Sequence, residues 1–394
     1  MVSIRGAREA DLDRLIEVHG TAYPDDRRAE TRRLNFTQNP LGKLSDLRAA
    51  LDGKRIVGHG FGFPLVAFFG GARVPVVGIA SLAVAPEARG RGVARALVAA
   101  IERDARRAGA VLCILHAFRH GFYERLGYAN VACNLRFVCD PRAIPKAWIA
   151  KARAAGLRAA RAADVATLRA THEAVAKTQT GFLARPDALF TRMLANERLY
   201  FVVAGDSGYV AFETAQREAH DETRIFVREL LAQDDETRRA LFGFLGMQAG
   251  QAAAIEFETR EDDPIAFALT DVDNNRFGND RVEHDLGGIV AGPMIRVLDA
   301  RAALAARGYW ADGAIDLAID GRSMRLVVER GRATMGKARG APLAMDARTL
   351  ASIAFGGLRA TRAASLGLLR GRAASIDAAD ALLFVPPFFT LDRF

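Results

Sequence analysis

A chain of 394 residues, 50% hydrophobic and 26% charged, has room for two or three domains with their own cores, and its make-up excludes a disordered or fibrous protein. The formal charge of +9 is unevenly spread: residues 1–150 carry 23 Lys/Arg against 14 Asp/Glu, residues 151–286 carry 17 against 23, and residues 287–394 carry 15 against 9. The surplus belongs to the N-terminal third.

Cys113, Cys133 and Cys139 are too few for a disulfide framework and lack the paired spacing of a metal or redox site, so no metal is expected. The opening MVSIRGAREADLDR is too polar for a signal peptide, and no apolar stretch approaches the ~18–20 residues of a membrane span. A cytoplasmic protein with no membrane partner is expected. The runs Arg27-Arg28 and Arg32-Arg33 lack interleaved aromatic residues, which points to a solvated helix face rather than to nucleic acid.

In chain order, the first block opens with a strand at 2–4 and a helix with apolar Leu12, Leu15 and Ile16. Strands over 55–69 and 74–85 follow, turned at Gly70-Gly71, then an amphipathic helix over about 90–108. A strand at 111–115, a short helix within 116–125 and a strand at 128–138 complete a mixed α/β sheet. A linker over 140–156 leads to a second block that repeats the first in outline. It has a helix after Asp164, strands at 199–204, 209–214 and 224–231, a helix over 236–252 and a strand at 254–258. The third block starts near Gly287, with a strand and then a helix capped by Asp299. A strand pair follows (314–319 and 323–329), turned at Asp320-Gly321, and then helices over 346–355, 360–368 and 378–383. Domains are therefore expected at 1–140, 141–286 and 287–394.

The chemistry lies where the strand ending at Pro86 meets the helix. Gly90 and Gly92 permit close approach to the backbone, the first-turn N–H groups of a helix lack internal partners, and Arg89 and Arg91 add charge. Together these suit a pyrophosphate. The Gly-Lys-Ser/Thr of a Walker loop is absent, and the turn does not follow the first strand of a βαβ unit, as a dinucleotide site would require.

Arg89, Gly92 and Ala94 fit R/Q-x-x-G-x-G/A, motif A of the GCN5-related N-acetyltransferases, after a matching strand end Val84-Ala85-Pro86. His120-Gly121-Phe122-Tyr123-Glu124-Arg125-Leu126-Gly127-Tyr128 is similar to that family's FYERLGY element. The three-block layout, with ILHAF at 114–118, ALAARGY at 303–309 and the end at Phe394, resembles the Eis-type (enhanced intracellular survival) members. The resemblance implies an α/β (α+β) architecture of tandem acetyltransferase folds with mixed central sheets, then a sterol-carrier-like α+β domain.

It also implies direct transfer of acetyl from acetyl-CoA to a primary amine through a ternary complex, and assembly into a hexamer. The amine would be an aminoglycoside, a polyamine-like molecule or lysine. Under it, Arg89, Gly90, Arg91, Gly92, Val93 and Ala94 hold the coenzyme's phosphates, and backbone around Leu82 and Val84 meets the thioester and pantetheine. Tyr123 maps onto the general acid for the departing thiolate, whereas spacing alone favours a core aromatic with a satisfied hydroxyl; Tyr128 reads as structural. The terminal carboxylate of Phe394 is the implied base, or an orienter of the amine, with His116 as an alternative. Asp25 matches a substrate-binding carboxylate. Arg393, Arg27 and Arg28 weaken the negative field that a polycation needs, so the acceptor is expected to be less cationic than an aminoglycoside. The second block has Asp234, Asp235 and Glu236 where the first has its Arg-Gly loop, so no coenzyme is expected there. A non-catalytic lipid- or CoA-binding scaffold is the alternative class.

Overall fold

The computed structural model describes residues 2–23, 28–131, 133–217, 222–269 and 287–394. Contacts divide the chain into two compact units: one of Met1–Val131, Pro293–Pro386 and Asp392–Phe394, the other of Ala132–Gly292 and Pro387–Leu391.

The first unit holds two sheets. In the larger, the strands run in the order Ser3–Gly6, Leu47–Asp52, Arg55–Phe69, Ala72–Val84, Leu112–Leu115, Met294–Val297, Ala129–Asn130. Neighbours are antiparallel except for Ala72–Val84 and Leu112–Leu115, which are parallel. The Gly70-Gly71 turn has positive φ at both residues (58° and 79°), the backbone of a tight hairpin matched to strand twist. Helix Val93–Arg107 packs Val93, Leu97, Val98 and Ile101 onto one sheet face. Bare backbone in the RIVGHGFGF strand makes this possible: a Cβ on Gly62 would lie 2.6 Å from Ile101 Cγ2. His59, Phe61 and Phe63 alternate to the opposite face, where helix Leu12–Ala22 brings His19 against His59.

The smaller sheet, ordered Arg332–Gly336, Arg322–Glu329, Gly313–Ile319, Leu343–Met345, buries Ile315, Leu317, Ile319, Met324, Leu326 and Val328 in strict alternation. The turn between its two longest strands has positive φ at Asp320 and Gly321, as the sequence predicts. Asp299 caps helix Ala300–Ala306, accepting from the Ala302 N–H at 2.9 Å.

In the second unit the strands run Gly287–Ala291, Cys133–Cys139, Ala254–Thr259, Glu222–Ala232, Gly208–Arg217, Tyr200–Ala204, Arg158–Ala159, with Glu222–Ala232 and Ala254–Thr259 parallel. The repeat is visible in detail. In the first unit Asp11 receives both guanidinium ends of Arg5 and the Arg8 N–H; here Asp164 receives those of Arg158 and the Arg161 N–H. These donors hold Asp11 below the usual carboxylate range and bring Asp164 down to about 2. Asp164 thus serves the turn before its helix and accepts no N–H from the helix itself.

Two expectations are corrected. The segment 128–138 is not one strand: Ala129–Asn130 closes the first unit's sheet, and Cys133–Cys139 pairs in the second. The strand after Gly292, read as the start of the third block, lies instead in the first unit's seven-stranded sheet, between Leu112–Leu115 and Ala129–Asn130. Each of the two seven-stranded sheets thus takes the strand next to one edge from a segment remote in sequence from its neighbours, which no local periodicity reports.

The ALAARGY segment links the two sheets of the first unit. Gly308 donates to Phe69 O at 3.0 Å, and a Cβ on Gly70 would sit 2.2 Å from Gly308 O. Arg307 is fully buried and donates to four carbonyls: Ala354 (2.6 Å), Leu383 (3.0 Å), Phe384 (3.0 Å) and Gly308 (3.1 Å). It also lies 4.4 Å over the Tyr309 ring, and burial brings its pKa down to about 10. Buried carbonyls left without donors are costly, so Arg307→Met is expected to lose roughly 3 kcal/mol or more in urea unfolding, with Arg307→Lys recovering part. An unchanged midpoint in Arg307→Met would show that water replaces the guanidinium.

Candidate active site

The site begins where two parallel strands part. Pairing of Ala72–Val84 with Leu112–Leu115 runs from Val76↔Leu112 to Ile79↔Leu115 and stops there. Beyond it, Ser81 adopts φ 50° in a bulge, with Ala80 facing Phe61 and Ala83 facing His59. Ala85 donates to Val57 O at 2.9 Å, so alternation turns the peptide groups of Leu82 and Val84 away from that neighbour, towards the open side. Both carbonyls there accept side chains: Leu82 O takes the Tyr23 hydroxyl at 2.9 Å, and Val84 O takes Arg89 Nε at 3.3 Å.

After Pro86–Ala88 the chain turns through Gly90 (φ 74°) and Gly92 (φ 79°), and the helix starts at Val93 rather than at Gly90. Gly92 is the N-cap, has no side chain to offer, and has open space where a Cβ would stand. The first intrahelical bond is Ala96 N–H to Gly92 O, which leaves the N–H groups of Val93, Ala94 and Arg95 facing outward. Val93 itself is buried, so only its backbone can serve a ligand. Arg89 reaches back to Thr21 O at 3.4 Å, and Arg91 pairs with Asp52 at 2.7 Å, both groups half exposed. This cradle of free N–H groups and positive-φ glycines fits the phosphates of a coenzyme A.

Tyr123, on helix His120–Glu124, is 3% exposed and packs edge-on against Phe122 and Tyr128. Burial, then the Tyr23 phenol, then Cys113, push its pKa well up, so it stays protonated. Tyr128 is structural, as expected: its hydroxyl lies between Glu102 (2.8 Å) and Cys113 Sγ (2.9 Å), and Glu102 is held by Arg296 at 2.6 Å.

The C-terminus returns to the parting strands. His116 Nε2 lies 3.0 Å from Asp392 O; a carbonyl only accepts, so Nε2 carries the hydrogen and the ring fixes the tail. The Phe394 ring stands edge-on to His116 at 5.5 Å and covers Gly78, whose Cβ would lie 2.7 Å from it. The structure thus gathers Leu82, Val84, Arg89–Ala94, Tyr123 and Phe394 in one unit. Asp25, the expected substrate carboxylate, lies outside the described residues, as does Arg27.

Two groups near the site have no motif in the sequence. Tyr23 follows a helix end without any spacing signal. His59 is 0% exposed, stacked on His19 at 5.4 Å, which in turn stacks on Tyr23 at 4.7 Å. Neither His59 nitrogen completes a hydrogen bond, although the Ser81 backbone is near.

Residues 3–131 and 181–297 each match the model of an acetyltransferase (GNAT) domain, and residues 300–389 match that of a sterol carrier protein domain. The chain is 27% identical over 336 residues to an N-acetyltransferase Eis of Mycobacterium bovis, covering 81% of this chain and 80% of that one. It is 27% identical over 314 residues to that of Mycobacterium tuberculosis, covering 75% of each. A GCN5-related N-acetyltransferase from Anabaena variabilis superposes with TM-score 0.85 at 18% identity, and Eis1 from Mycobacterium abscessus with 0.77 at 23%, both over the full length of each chain. The protein is therefore a GCN5-related N-acetyltransferase, an enzyme of acetyl transfer with mixed α/β sheets and a sterol-carrier-like C-terminal domain. Within that class it is similar to the Eis enzymes over three quarters or more of its length. No helix among the described residues is long and apolar enough to cross a membrane.

Burial, reinforced by His19, lowers the His59 pKa from 6.5 to about 3. The unfolded chain then binds a proton that the folded one refuses, so stability contributed by neutral His59 is complete above about pH 6.5 and falls with decreasing pH at about 1.4 kcal/mol per unit until about pH 3. His59→Phe is expected to flatten the slope of urea-unfolding free energy across pH 4–6. An unaltered slope would assign the acid sensitivity to other groups.

Proposed function

We propose that the first unit binds acetyl-CoA along the open edge of Leu82 and Val84, with its phosphates on the Gly90–Ala94 turn, and transfers acetyl directly to a primary amine in a ternary complex. The observation that carries this reading is the parting of the parallel strands at Ile79 and Leu115, with a helix beyond it that Gly92 leaves uncapped. Acetyl-CoA supplies the thioester and the thiolate leaving group. Peptide N–H groups of Leu82 and Val84 would stabilise charge developing on the thioester oxygen. Tyr123 would give its proton to the departing thiolate, a role that suits a phenol kept protonated by burial. The terminal carboxylate of Phe394, whose ring packs against His116, would take a proton from the acceptor ammonium or hold the amine through water.

Aminoglycosides, polyamine-like molecules and lysine are the acceptor classes in this reading, which also carries the division 1–140, 141–286 and 287–394, with the exchanged strands at its borders. Hexamer assembly rests on family resemblance, and a cytoplasmic location on three unpaired cysteines, two of them buried.

Tyr123→Phe is expected to lower kcat about 100-fold with little change in KM for acetyl-CoA; unchanged turnover when chemistry limits the rate would reassign the acid. Two residues added after Phe394 are expected to lower kcat/KM for the amine while CoA binding persists, and full activity would remove the carboxylate from the mechanism. Gly92→Asp places a carboxylate at the phosphate's position, and KM for acetyl-CoA is expected to rise at least tenfold. Gly92→Ala carries the same backbone strain without the charge and is expected to change KM far less. Equal effects from the two variants would argue against phosphate binding there.

A further inference from the structure

The second unit keeps the first unit's slot but changes its chemistry. Strand Glu222–Ala232 pairs with Ala254–Thr259 from Arg224↔Ala254 to Val227↔Phe257 and then parts from it, with a bulge at Arg228. Gln233 donates to Ser207 O at 2.8 Å, so alternation turns the peptide groups of Leu230 and Ala232 into the opening. A cavity of about 310 Å³ lies there, walled by Leu230, Phe257 and Phe242 and by Leu391 of the C-terminal segment. That volume is at the small end of ligand pockets.

Helix Asp235–Gly246 begins at its mouth, yet the helix end is closed to anions. Asp234 caps it, accepting from the Thr237 N–H at 2.7 Å and the Thr237 hydroxyl at 2.9 Å. A phosphate would meet this carboxylate and those of Asp235 and Glu236. The cations lining the cavity are already engaged: Arg228 with Glu213, Arg238 with Asp263, Arg260 with Asp262. Asp235, exposed at the mouth, makes no ion pair among the described residues. Deeper in, Glu229 is 4% exposed and lines the cavity, its carboxylate held by Arg185 at 2.6 Å and the Tyr209 hydroxyl at 2.8 Å.

We propose that this slot binds an extended peptide segment bearing an ammonium group, its peptide groups on the Leu230 and Ala232 edge and its cation at Asp235. An added strand satisfies both members of an open edge, which a phosphate-free pocket of mixed walls otherwise leaves to water. The inference does not depend on where acetyl-CoA binds.

The test is a saturation-transfer NMR titration of the full chain with tri-alanine amide and its N-acetylated form, with and without saturating coenzyme A. The expected result is saturable binding of the free-amine peptide, about fivefold weaker for the acetylated one, and unaffected by coenzyme A. Asp235→Asn is expected to weaken the free-amine peptide to the level of the acetylated one and to leave the acetylated one unchanged; helix capping by Asp234 keeps this variant folded. Three results would overturn the proposal: no saturation in the millimolar range, equal affinities of the two peptides or indifference to Asp235→Asn, and displacement by coenzyme A. Displacement would place the peptide in the first unit's slot, whereas loss of transferase activity in the Tyr123 or Gly92 variants bears only on the catalytic reading.

Discussion

The first N–H groups of a helix must find an acceptor, and what supplies it separates the two halves of this chain. Helix Val93–Arg107 starts after Gly92, which supplies none, so its amides face outward from a turn with room beside it. Helix Asp235–Gly246 starts after Asp234, whose carboxylate takes the Thr237 N–H. The strands before them share a topology: antiparallel neighbours, one parallel pair that parts, and a bulge close to the parting. Under the proposed reading one fold therefore offers an anion site in one unit, while in the other the Asp234 cap, with Asp235 and Glu236 in the first turn, opposes anions.

A parted pair leaves strand edges that need partners of their own. In the first unit Tyr23 and Arg89 tie the end of helix Leu12–Ala22 to the carbonyls of Leu82 and Val84. A ligand that lies along this edge competes with those side chains for carbonyls and finds the N–H groups open. Arg89 has the reach to trade Val84 O for a phosphate, which pairs charge with charge and makes the exchange favourable. Tyr23 has no such alternative partner and holds the bulge in place.

Local signals were legible wherever one short segment determines its own geometry. The turns Gly70-Gly71 and Asp320-Gly321, the Asp299 cap and the Arg89–Ala94 turn are all readable from residue type and spacing, because backbone sterics act over a few residues. The exchange of Cys133–Cys139 and Met294–Val297 between sheets was not, since each strand alternates in the same way whichever partner it meets. Arg307 was legible only as part of a motif; that its guanidinium gathers carbonyls of two distant segments, Ala354 and Leu383-Phe384, depends on packing. His59 and Tyr23 escaped for a similar reason. Their positions matter through stacking and a single hydrogen bond across 59 residues, and neither leaves a periodic trace.

The positive charge of the N-terminal third also acts locally. Arg5, Arg14, Arg48, Arg55 and Arg91 have carboxylate partners, so the field of each of these five is damped within a few ångströms. Exposed pairs of this kind are typically worth less than about 1 kcal/mol, which makes them easy to break when a stronger acceptor arrives. Arg91 is the pair that matters under the proposed reading, because it stands between two positive-φ glycines on the turn that faces the ligand. Asp52 then keeps its guanidinium ordered beside the turn at little energetic cost, and a pyrophosphate, with two charges over its two phosphoryl groups, would outcompete a single carboxylate for it. Arg91 is thus better understood, under that reading, as an exchangeable partner for one small anion than as part of a surface for a polyanion.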